Sequence, residues 1–352
     1  AVPGLQVLGQ HQAGARRGKR VSAPTLVTWL AVVSLAASFA LGLAWRAFAL
    51  RRGHVDMPGE RRLHQQPTPR GGGIGIAIVL LAASAWLGPG AWPFAAGLVL
   101  CAGVGLVDDL RPLAPLAKLA AQLAAALLLA WHWPLLPGLW GEAAGIALGT
   151  VLVLALVNIW NFMDGANGLA ASQAALVVPA LAWLGPSPAA TWLAVALSAA
   201  CLGFLPLNFP RARLFLGDVG SHAIGFGLAG VALLAAPAAG EGAWLLLLPP
   251  SAMLLDAGLT LLSRAWRRQV LWRPHREHLY QRAVLAGWSH AAISLLYLAW
   301  AAAATALAVA IAGRPSPWPA LALALAWIVG IMLRTLLARR WPRTLPPEVR
   351  TE

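Results

Sequence analysis

Five aspartates lie within or at the ends of long apolar segments, where a charged side chain is unfavourable. They are Asp108, Asp109, Asp164, Asp218 and Asp256. A carboxylate inside a membrane costs about 2.5–3.5 kcal/mol on insertion scales, so each is a candidate for function. The first four fall at one predicted face, where carboxylates repel one another unless a divalent cation or a basic side chain lies between them. Asp256, which follows Pro249-Pro250, is predicted to be a structural partner for an arginine.

The adjacent pair Asp108-Asp109 ends one of the apolar segments. Neighbouring side chains on an α-helix point about 100° apart, so one carboxylate can face a metal ion or a lysine while the other faces a substrate. The sequence does not decide which aspartate takes which role.

A second apolar segment ends in residues 158–165, which read NIWNFMDG. Asn158, Asn161 and Asp164 recur every three residues and therefore share one helix face before the glycine opens a turn. Such side chains suit a uracil, a ribose or a sugar. The alternative is that they bond to neighbouring helices within the membrane.

Asp218 lies between Gly217 and Gly220 at the predicted start of another helix. Helix N-termini bind phosphate, and a hard carboxylate at that place suits Mg²⁺ bridging phosphate oxygens. The flanking glycines are predicted to let the backbone come close to a ligand.

Two basic stretches separate apolar segments. The first, residues 61–73, reads RRLHQQPTPRGGG and contains His64 and Arg70; it could hold an anion or could anchor the topology. The second contains His275, Arg276 and His278, two histidines three residues apart beside an arginine. Phosphate is the preferred ligand of this stretch rather than a metal, because no further soft ligand accompanies it.

The composition indicates the solvent that surrounds these residues. Of 352 residues 59% are hydrophobic and only 11% charged, and the mean hydropathy is +0.70, which is too apolar for an ordinary soluble domain. The formal net charge is +14, and most of the basic residues lie in short gaps between apolar stretches. In such positions basic residues determine the orientation of membrane helices. Nucleic-acid binding is therefore not expected. Cys101 and Cys201 lie inside apolar runs and are predicted to be packing residues.

A spanning helix needs about 20 mostly apolar residues, and the sequence predicts an all-α polytopic membrane protein of about eleven such helices. The predicted spans are 25–50, 72–88, 91–107, 116–134, 144–162, 169–185, 189–207, 220–238, 243–263, 290–312 and 318–337. They form one membrane domain over 25–337. A basic tail over 1–24, predicted to be disordered, precedes it, and a cytoplasmic tail over 338–352 follows it.

The arginines predict the orientation of these helices. If the loop 51–70 is cytoplasmic, all but five of the 26 lysines and arginines lie inside, in accord with the positive-inside rule. The exceptions are Arg16, Arg17, Lys19, Arg20 and Arg314. This places the four clustered aspartates at the cytoplasmic face of the membrane.

Five of these segments together resemble the polyprenyl-phosphate N-acetylhexosamine-1-phosphate transferases, the glycosyl transferase family 4. The resemblance covers about residues 50–290 and rests on five blocks in the family's order. They are Arg62-x-His64-x-x-Pro67-Thr68-Pro69-Arg70-x-Gly72-Gly73, Asp108-Asp109, Asn161-Phe162-Met163-Asp164-Gly165, Gly217-Asp218-Val219-Gly220-Ser221 and His275-Arg276-x-His278. Lys118, in Lys118-x-x-x-Gln122, matches a family lysine near the phosphates.

The resemblance implies a reaction in which an oxygen of undecaprenyl phosphate attacks the β-phosphorus of a UDP-N-acetyl sugar and releases UMP. It implies Mg²⁺ on Asp218, with Asp164 as a further ligand and Mn²⁺ as a possible substitute. Asp108 could remove a proton from the lipid phosphate, and Asp109 could pair with Lys118 or share the metal. The implied catalytic residues are Asp108, Asp109, Asp164 and His275. The implied substrate-binding residues are His64, Arg70, Lys118, Asn158, Asn161, Phe162, Asn167, Arg276 and His278.

One position departs from the family pattern. Many members read MDGxDG where this chain has Asn167, so a second carboxylate is missing there. That asparagine, together with His275-Arg276-x-His278-x-Tyr280-Gln281, resembles the branch of the family that starts O-antigen chains from UDP-N-acetylfucosamine or UDP-N-acetylquinovosamine. UDP-N-acetylglucosamine is the main competitor. The expected location is the bacterial inner membrane, with a homodimer possible.

A transporter or lipid flippase is the rival class. Many spans and acidic residues within the membrane would also suit a transporter. However, transporter sites usually lie near the bilayer midplane between inverted repeats. This sequence has no visible repeat, and its acidic residues gather at one face.

Overall fold

The structure is a computed structural model that describes residues 23–57, 66–270 and 275–341. Within these ranges the chain forms thirteen α-helices. They are α1 (Ala23–Arg52), α2 (Ile74–Ser84), α3 (Trp92–Leu110), α4 (Pro115–His132), α5 (Pro137–Trp140), α6 (Glu142–Phe162), α7 (Leu169–Leu184), α8 (Pro188–Asn208), α9 (Gly217–Ala239), α10 (Ser251–Trp266), α11 (Leu279–Leu285), α12 (His290–Ile311) and α13 (Trp318–Arg340). The predicted all-α membrane fold is confirmed.

The predicted count of eleven spans is not confirmed. Within the described residues eight helices are long and apolar enough to cross a membrane, and the helical stretches Ile74–Leu87 and Leu169–Leu184 are apolar but shorter. The predicted span 243–263 is not one helix. It divides into a 3₁₀ segment, Gly240–Leu247, and α10, with Pro249 and Pro250 between them. Proline lacks the backbone N–H that a continuous helix would need there.

Helix α9 is the centre of the bundle. It packs against α2, α3, α6, α7 and α8, and nearly every residue from Gly217 to Ala236 is buried. Close packing depends on glycine. A Cβ added at Gly225 would lie 2.6 Å from the Leu156 carbonyl oxygen, and one added at Gly105 would lie 2.5 Å from the Asp218 carbonyl oxygen. The backbones of α3 and α6 therefore approach α9 directly.

A short extended segment lies against the start of α9. The two-residue strands β1 (Val55–Asp56) and β2 (Thr68–Pro69) pair antiparallel. The chain after β2 continues this pairing with the segment before α9: Phe215 N donates to the Pro69 carbonyl at 2.8 Å, and Gly72 N donates to the Phe215 carbonyl at 2.8 Å. This pairing, which the all-α prediction omitted, places Arg70 beside the N-terminus of α9.

Asp256 organises the last four helices. Its carboxylate accepts from Leu279 N at 2.7 Å and Tyr280 N at 3.2 Å, so it satisfies the first amides of α11. It also accepts from the Tyr297 hydroxyl at 2.8 Å, and Arg334 Nη2 lies 3.8 Å away. The predicted arginine partner is present, but the amides of α11 and Tyr297 lie closer.

Several predictions fall partly or wholly outside the described residues. His64 lies there, as do residues 1–22 of the predicted N-terminal tail and 342–352 of the predicted C-terminal tail. Helix α13 itself continues to Arg340, three residues past the predicted end of the membrane domain. Cys101 and Cys201 are both buried and free, as expected of packing residues.

The arginine distribution yields a testable topology. A cysteine introduced at exposed Gln269, just after α10, is expected to escape a membrane-impermeant thiol reagent added to intact cells, because this end of the bundle is predicted to be cytoplasmic. A cysteine at Gly138, exposed within α5 at the other end of the bundle, serves as the positive control. The native thiols are buried and give no background. Strong labelling at position 269 in intact cells would show that the orientation is the reverse of the predicted one.

Candidate active site

Asp109 joins the end of α3 to the beginning of α9. Its Oδ1 accepts from Asp218 N at 2.9 Å and its Oδ2 accepts from Val219 N at 3.0 Å. Its side chain is only 1% exposed. The first amides of a helix have no partner within the helix and carry partial positive charge, so a buried carboxylate is well placed there. Asp109 therefore fixes the position of Asp218.

Gly217 makes this capping possible. Its φ of +77° is a conformation that favours glycine, and an added Cβ would lie 2.4 Å from Asp109 Oδ2 and 2.7 Å from Gly71 N. Gly220 similarly faces Gly73, whose Cα would lie 2.7 Å from a Cβ at position 220. The glycines around Asp218 were predicted to admit a ligand; in the structure both admit other parts of the protein.

Asp218 is held between two basic side chains. Arg70 Nη2 lies 2.5 Å from Asp218 Oδ1, and its Nε lies 2.6 Å from Asp109 Oδ1. Lys118 Nζ lies 3.2 Å from Asp218 Oδ2 and 3.0 Å from Asp108 Oδ2. The predicted alternative of Lys118 pairing with Asp109 is wrong, because Lys118 bridges Asp108 and Asp218. Burial alone would disfavour the charged guanidinium, but Asp218 and Asp109 outweigh it and raise the pKa of Arg70 above its usual value.

Asp108 has a different environment from Asp109. Besides its ion pair with Lys118, its Oδ1 accepts from Leu113 N at 2.8 Å in the loop between α3 and α4. Its side chain is 11% exposed, against 1% for Asp109. The two adjacent aspartates are thus distinct: Asp109 is enclosed by protein amides and Arg70, whereas Asp108 lies nearer the surface of the site.

Asp164 completes the acidic cluster from the turn after α6. Within the described residues no ion pair engages its carboxylate. Burial, together with repulsion from Asp218 and Asp109, raises the pKa of Asp164 well above its usual value, although Arg70 acts in the opposite direction. Four carboxyl groups therefore share this site with two basic side chains, and the raised pKa favours the protonated form of Asp164.

The chemistry of this cluster fits a magnesium ion. Within the described parts of the chain, no three His, Cys, Asp or Glu side chains form a ready-made metal cage. Mg²⁺ is usually bound by only one or two carboxylates together with substrate phosphates and water. Asp218 and Asp164 offer such hard oxygen donors. Whether they bind the ion remains a prediction.

Asn158 and Asn161 are engaged in contacts between helices. Asn158 Nδ2 donates to Gln122 Oε1 at 2.9 Å and to the Leu154 carbonyl at 2.9 Å, and Asn161 Nδ2 donates to Ser221 Oγ at 3.0 Å. Both amide nitrogens therefore tie α6 to α4 or α9. In this structure the amide nitrogens form hydrogen bonds within the helix bundle, which was the alternative interpretation. Contact of these residues with a nucleotide stays a prediction.

An aromatic cluster lies beside the turn that carries Asp164. The His278 ring stacks with Phe162 at a centroid distance of 6.1 Å and lies 5.0 Å from the His275 ring. The Tyr280 hydroxyl donates to the Phe162 carbonyl at 2.9 Å. The structure thus brings the predicted residues His275, His278 and Phe162 together. Arg276 lies in the same segment, partly buried.

Salt bridges hold this histidine segment against α10. Glu277 accepts from Arg264 Nη1 at 2.5 Å and pairs with Arg267 Nη2. Burial alone would raise the pKa of Glu277, but the hydrogen bonds from Arg267 and Arg264 outweigh it and lower the pKa. Together with the Asp256 cap on α11, these pairs hold the segment in place from both sides.

Asn167 lies in the turn between α6 and α7. Its Nδ2 donates to the Pro210 carbonyl at 3.2 Å, and its carbonyl accepts from Ser294 Oγ at 2.8 Å. The neighbouring Gly168 N donates to Asn208 Oδ1 at 2.5 Å. Asn167 and Gly168 therefore bind the turn to α8 and α12. An ionised carboxylate at position 167 could not donate the hydrogen bond to the Pro210 carbonyl.

Sequence reasoning missed several residues that shape the site. Gln122 was noted only for its spacing from Lys118, and Ser221, His222 and Tyr280 were given no role. The available signal was helical spacing: His222 follows Asp218 by four residues just as Gln122 follows Lys118, which places each pair on one helix face.

The fold and the site together define a multi-pass membrane protein whose charged site is built from helix ends. Residues 91–236 match the model of glycosyl transferase family 4. The chain is 35% identical over 327 residues to a decaprenyl-phosphate N-acetylglucosaminephosphotransferase of Mycolicibacterium smegmatis, covering 77% of this chain and 79% of that protein. It is 25% identical over 288 residues to a probable undecaprenyl-phosphate N-acetylglucosaminyl 1-phosphate transferase of Bacillus subtilis, covering 76% and 80%.

A third relative carries a different enzyme name. It is a phospho-N-acetylmuramoyl-pentapeptide-transferase of a Synechococcus strain, 34% identical over 259 residues, covering 64% of this chain and 74% of that protein. This chain belongs to glycosyl transferase family 4 and is a multi-pass bacterial membrane protein.

The Asp109 cap can be tested through Gly217. Gly217→Ala is expected to destabilise the protein by about 1–2 kcal/mol, because a non-glycine residue is strained in the left-handed region, and to lower turnover by displacing Asp109. Gly258→Ala is the control, because a Cβ there meets no atom of the described part of the chain within 4 Å. Unfolding temperature and turnover are measured for both. A Gly217→Ala enzyme as stable and active as its parent would contradict the capping role.

The buried His278 predicts a pH dependence of stability. Burial lowers the pKa of His278 to about 4, whereas an unfolded histidine titrates near ~6.5. Between these values the unfolded chain binds the additional proton, so stability rises with pH in this window and falls as the pH is lowered. From pH 7 to pH 5 the expected loss is about 2 kcal/mol. Thermal unfolding of the parent and His278→Gln is compared at both pH values; an equal loss in the variant would exclude His278 as the source.

Proposed function

We propose that the protein transfers an N-acetylated sugar-1-phosphate from a UDP-sugar to undecaprenyl phosphate and releases UMP. The observation that carries the proposal is the joint network of Asp108, Asp109, Asp218, Arg70 and Lys118, assembled from helix ends at one face. Relatives that share most of this chain's length are named for transferring N-acetylglucosamine phosphate to polyprenyl phosphates. Sugar-phosphate transfer to a lipid phosphate is therefore the activity that best accounts for both observations.

The reaction brings two anions together, which explains the need for basic residues. An oxygen of the lipid phosphate forms a bond to the β-phosphorus of the donor, the bond from that phosphorus to UMP breaks, and UMP leaves. Because the attacking oxygen already carries negative charge, the protein has to supply positioning and charge neutralisation rather than a nucleophile. Arg70 and Lys118 are placed to exchange their carboxylate partners for phosphate oxygens.

The acidic residues have separable roles in this proposal. Asp109 holds the α9 terminus and Asp218 in place, and Asp108, the more exposed of the pair, is placed to accept a proton from a protonated lipid phosphate. Asp218 and Asp164 would hold Mg²⁺, which when bound neutralises charge on the pyrophosphate of the donor. The helix ends set this chemistry at a membrane face rather than near the midplane, which disfavours the transporter alternative.

Two observations favour different donor sugars. The names of the relatives favour N-acetylglucosamine, whereas Asn167 favours N-acetylfucosamine or N-acetylquinovosamine. A role in starting O-antigen or cell-wall polysaccharide at the cytoplasmic face of the inner membrane follows from either choice.

Purified protein in detergent with undecaprenyl phosphate is expected to release UMP from at least one of UDP-N-acetylglucosamine, UDP-N-acetylfucosamine and UDP-N-acetylquinovosamine. EDTA should abolish release and excess Mg²⁺ should restore it. Asp218→Asn is expected to lower turnover by roughly 10²-fold or more, as for loss of a group that orders charge in the transition state. Glu142→Gln, at the exposed first residue of α6 and at the opposite end of that helix from Asp164, is the matched control.

Two results would contradict these assignments. No UMP from any of the three donors would reject the proposed reaction. Full turnover in EDTA would reject the metal while leaving the transfer reaction intact.

A further inference from the structure

A neutral hydrogen-bonded pair lies one helical turn below the charged pair of the site. Lys118 and Gln122 are four residues apart on α4, and Asp218 and His222 are four residues apart on α9. Gln122 Nε2 lies 3.2 Å from His222 Nε2, just as Lys118 Nζ lies 3.2 Å from Asp218 Oδ2. Two successive contacts therefore join the same faces of α4 and α9, since residues four apart share a helix face.

The neutral pair belongs to a longer chain of hydrogen bonds. His222 Nδ1 lies 3.1 Å from the Cys101 carbonyl on α3, and Asn158 Nδ2 on α6 donates to Gln122 Oε1 at 2.9 Å. Gln122 is 3% exposed and His222 is 1% exposed. One chain of side chains thus connects α3, α4, α6 and α9 in the interior of the bundle.

Every bond in this chain has a fixed direction. The Cys101 carbonyl can only accept, so His222 carries its proton on Nδ1 and its Nε2 is the acceptor. Gln122 donates its amide nitrogen to that acceptor and accepts from Asn158 with its amide oxygen. Asn158 uses its second N–H on the Leu154 carbonyl. Turning over the Gln122 amide would oppose two acceptors at His222 and two donors at Asn158. Turning over the Asn158 amide would oppose its oxygen to the Gln122 and Leu154 oxygens, so the chain holds one arrangement.

The charged contact cannot hold α4 against α9 throughout a reaction. Lys118 has a long flexible stem, its side chain is 24% exposed, and in the proposed function it leaves Asp218 for a phosphate oxygen. The Gln122–His222 contact is buried and loses no hydrogen bond when Lys118 changes partner. It is therefore the contact that keeps the helices in register while the charges rearrange.

We infer that His222, Gln122 and Asn158 act as positioning residues that set the separation of Lys118 and Asp218 during turnover. The inference rests on the proposed function for its kinetic consequence. Its structural consequence, a fixed spacing of α4 and α9 near the site, does not depend on which reaction the site performs.

The kinetic test compares polar and apolar replacements at the same positions. His222→Leu and Gln122→Leu are expected to lower kcat roughly 10- to 100-fold, as for a small misplacement of catalytic groups, while KM for the UDP-sugar changes less. His222→Gln, whose amide keeps a donor and an acceptor, is expected to recover most of kcat. Gln173→Leu is the matched control, because Gln173 is also fully buried but neither its amide nitrogen nor its amide oxygen has a hydrogen-bond partner among the described residues.

A distance measurement tests the same inference without activity. Spin labels are placed at Leu116, exposed at the start of α4, and at Arg211, exposed in the segment before α9. The distance distribution is expected to broaden in His222→Leu and to stay narrow in His222→Gln and Gln173→Leu.

Unchanged kcat in both leucine variants, or an equal loss in Gln173→Leu, would overturn the positioning role. So would an unchanged distance distribution in His222→Leu. If the parent protein releases no UMP from any donor, the proposed function fails, and the distance measurement alone then supports or rejects the fixed spacing.

Discussion

The site depends on one interaction, the capping of α9 by Asp109. The carboxylate satisfies the second and third amides of a helix whose interior is almost wholly buried, and it does so from the end of another helix. Without a partner these amides would be buried and unsatisfied, which costs about 1–3 kcal/mol for each group. Because Asp218 is itself one of the capped residues, the same bonds that terminate the helix also place its carboxylate between Arg70 and Lys118.

A similar device is used a second time. Asp256 accepts from the first amides of α11 as Asp109 does for α9, and α11 begins directly after His278. In both places a carboxylate on one helix anchors the start of another helix that carries or adjoins residues of the site. Two of the five aspartates that stand out in the sequence therefore act mainly on the protein itself.

The sequence predicted the kind of fold and the members of the site better than their partners. Hydropathy located the long helices, because burial in lipid demands about 20 apolar residues in a row. It failed at residues 243–263, where composition suggested a span and Pro249-Pro250 divided it. Side-chain types identified Asp108, Asp109, Asp164 and Asp218 as a cluster, and the family resemblance added Lys118 to it. Spacing alone could not assign Lys118 to Asp108 rather than Asp109, since that choice depends on how α3 and α4 rotate against each other.

The capping of α9 also constrains the order in which the site can form during synthesis. Asp109 and the amide of Asp218 are separated by 109 residues, and the intervening chain contains five helices, α4 to α8. Until α9 emerges from the ribosome, Asp109 has no amides to cap and must remain hydrated at the membrane surface. The position of the aspartate pair at a helix end permits this, because water reaches it there. The site is therefore completed only when the central helix is inserted last among its neighbours α2, α3, α6, α7 and α8.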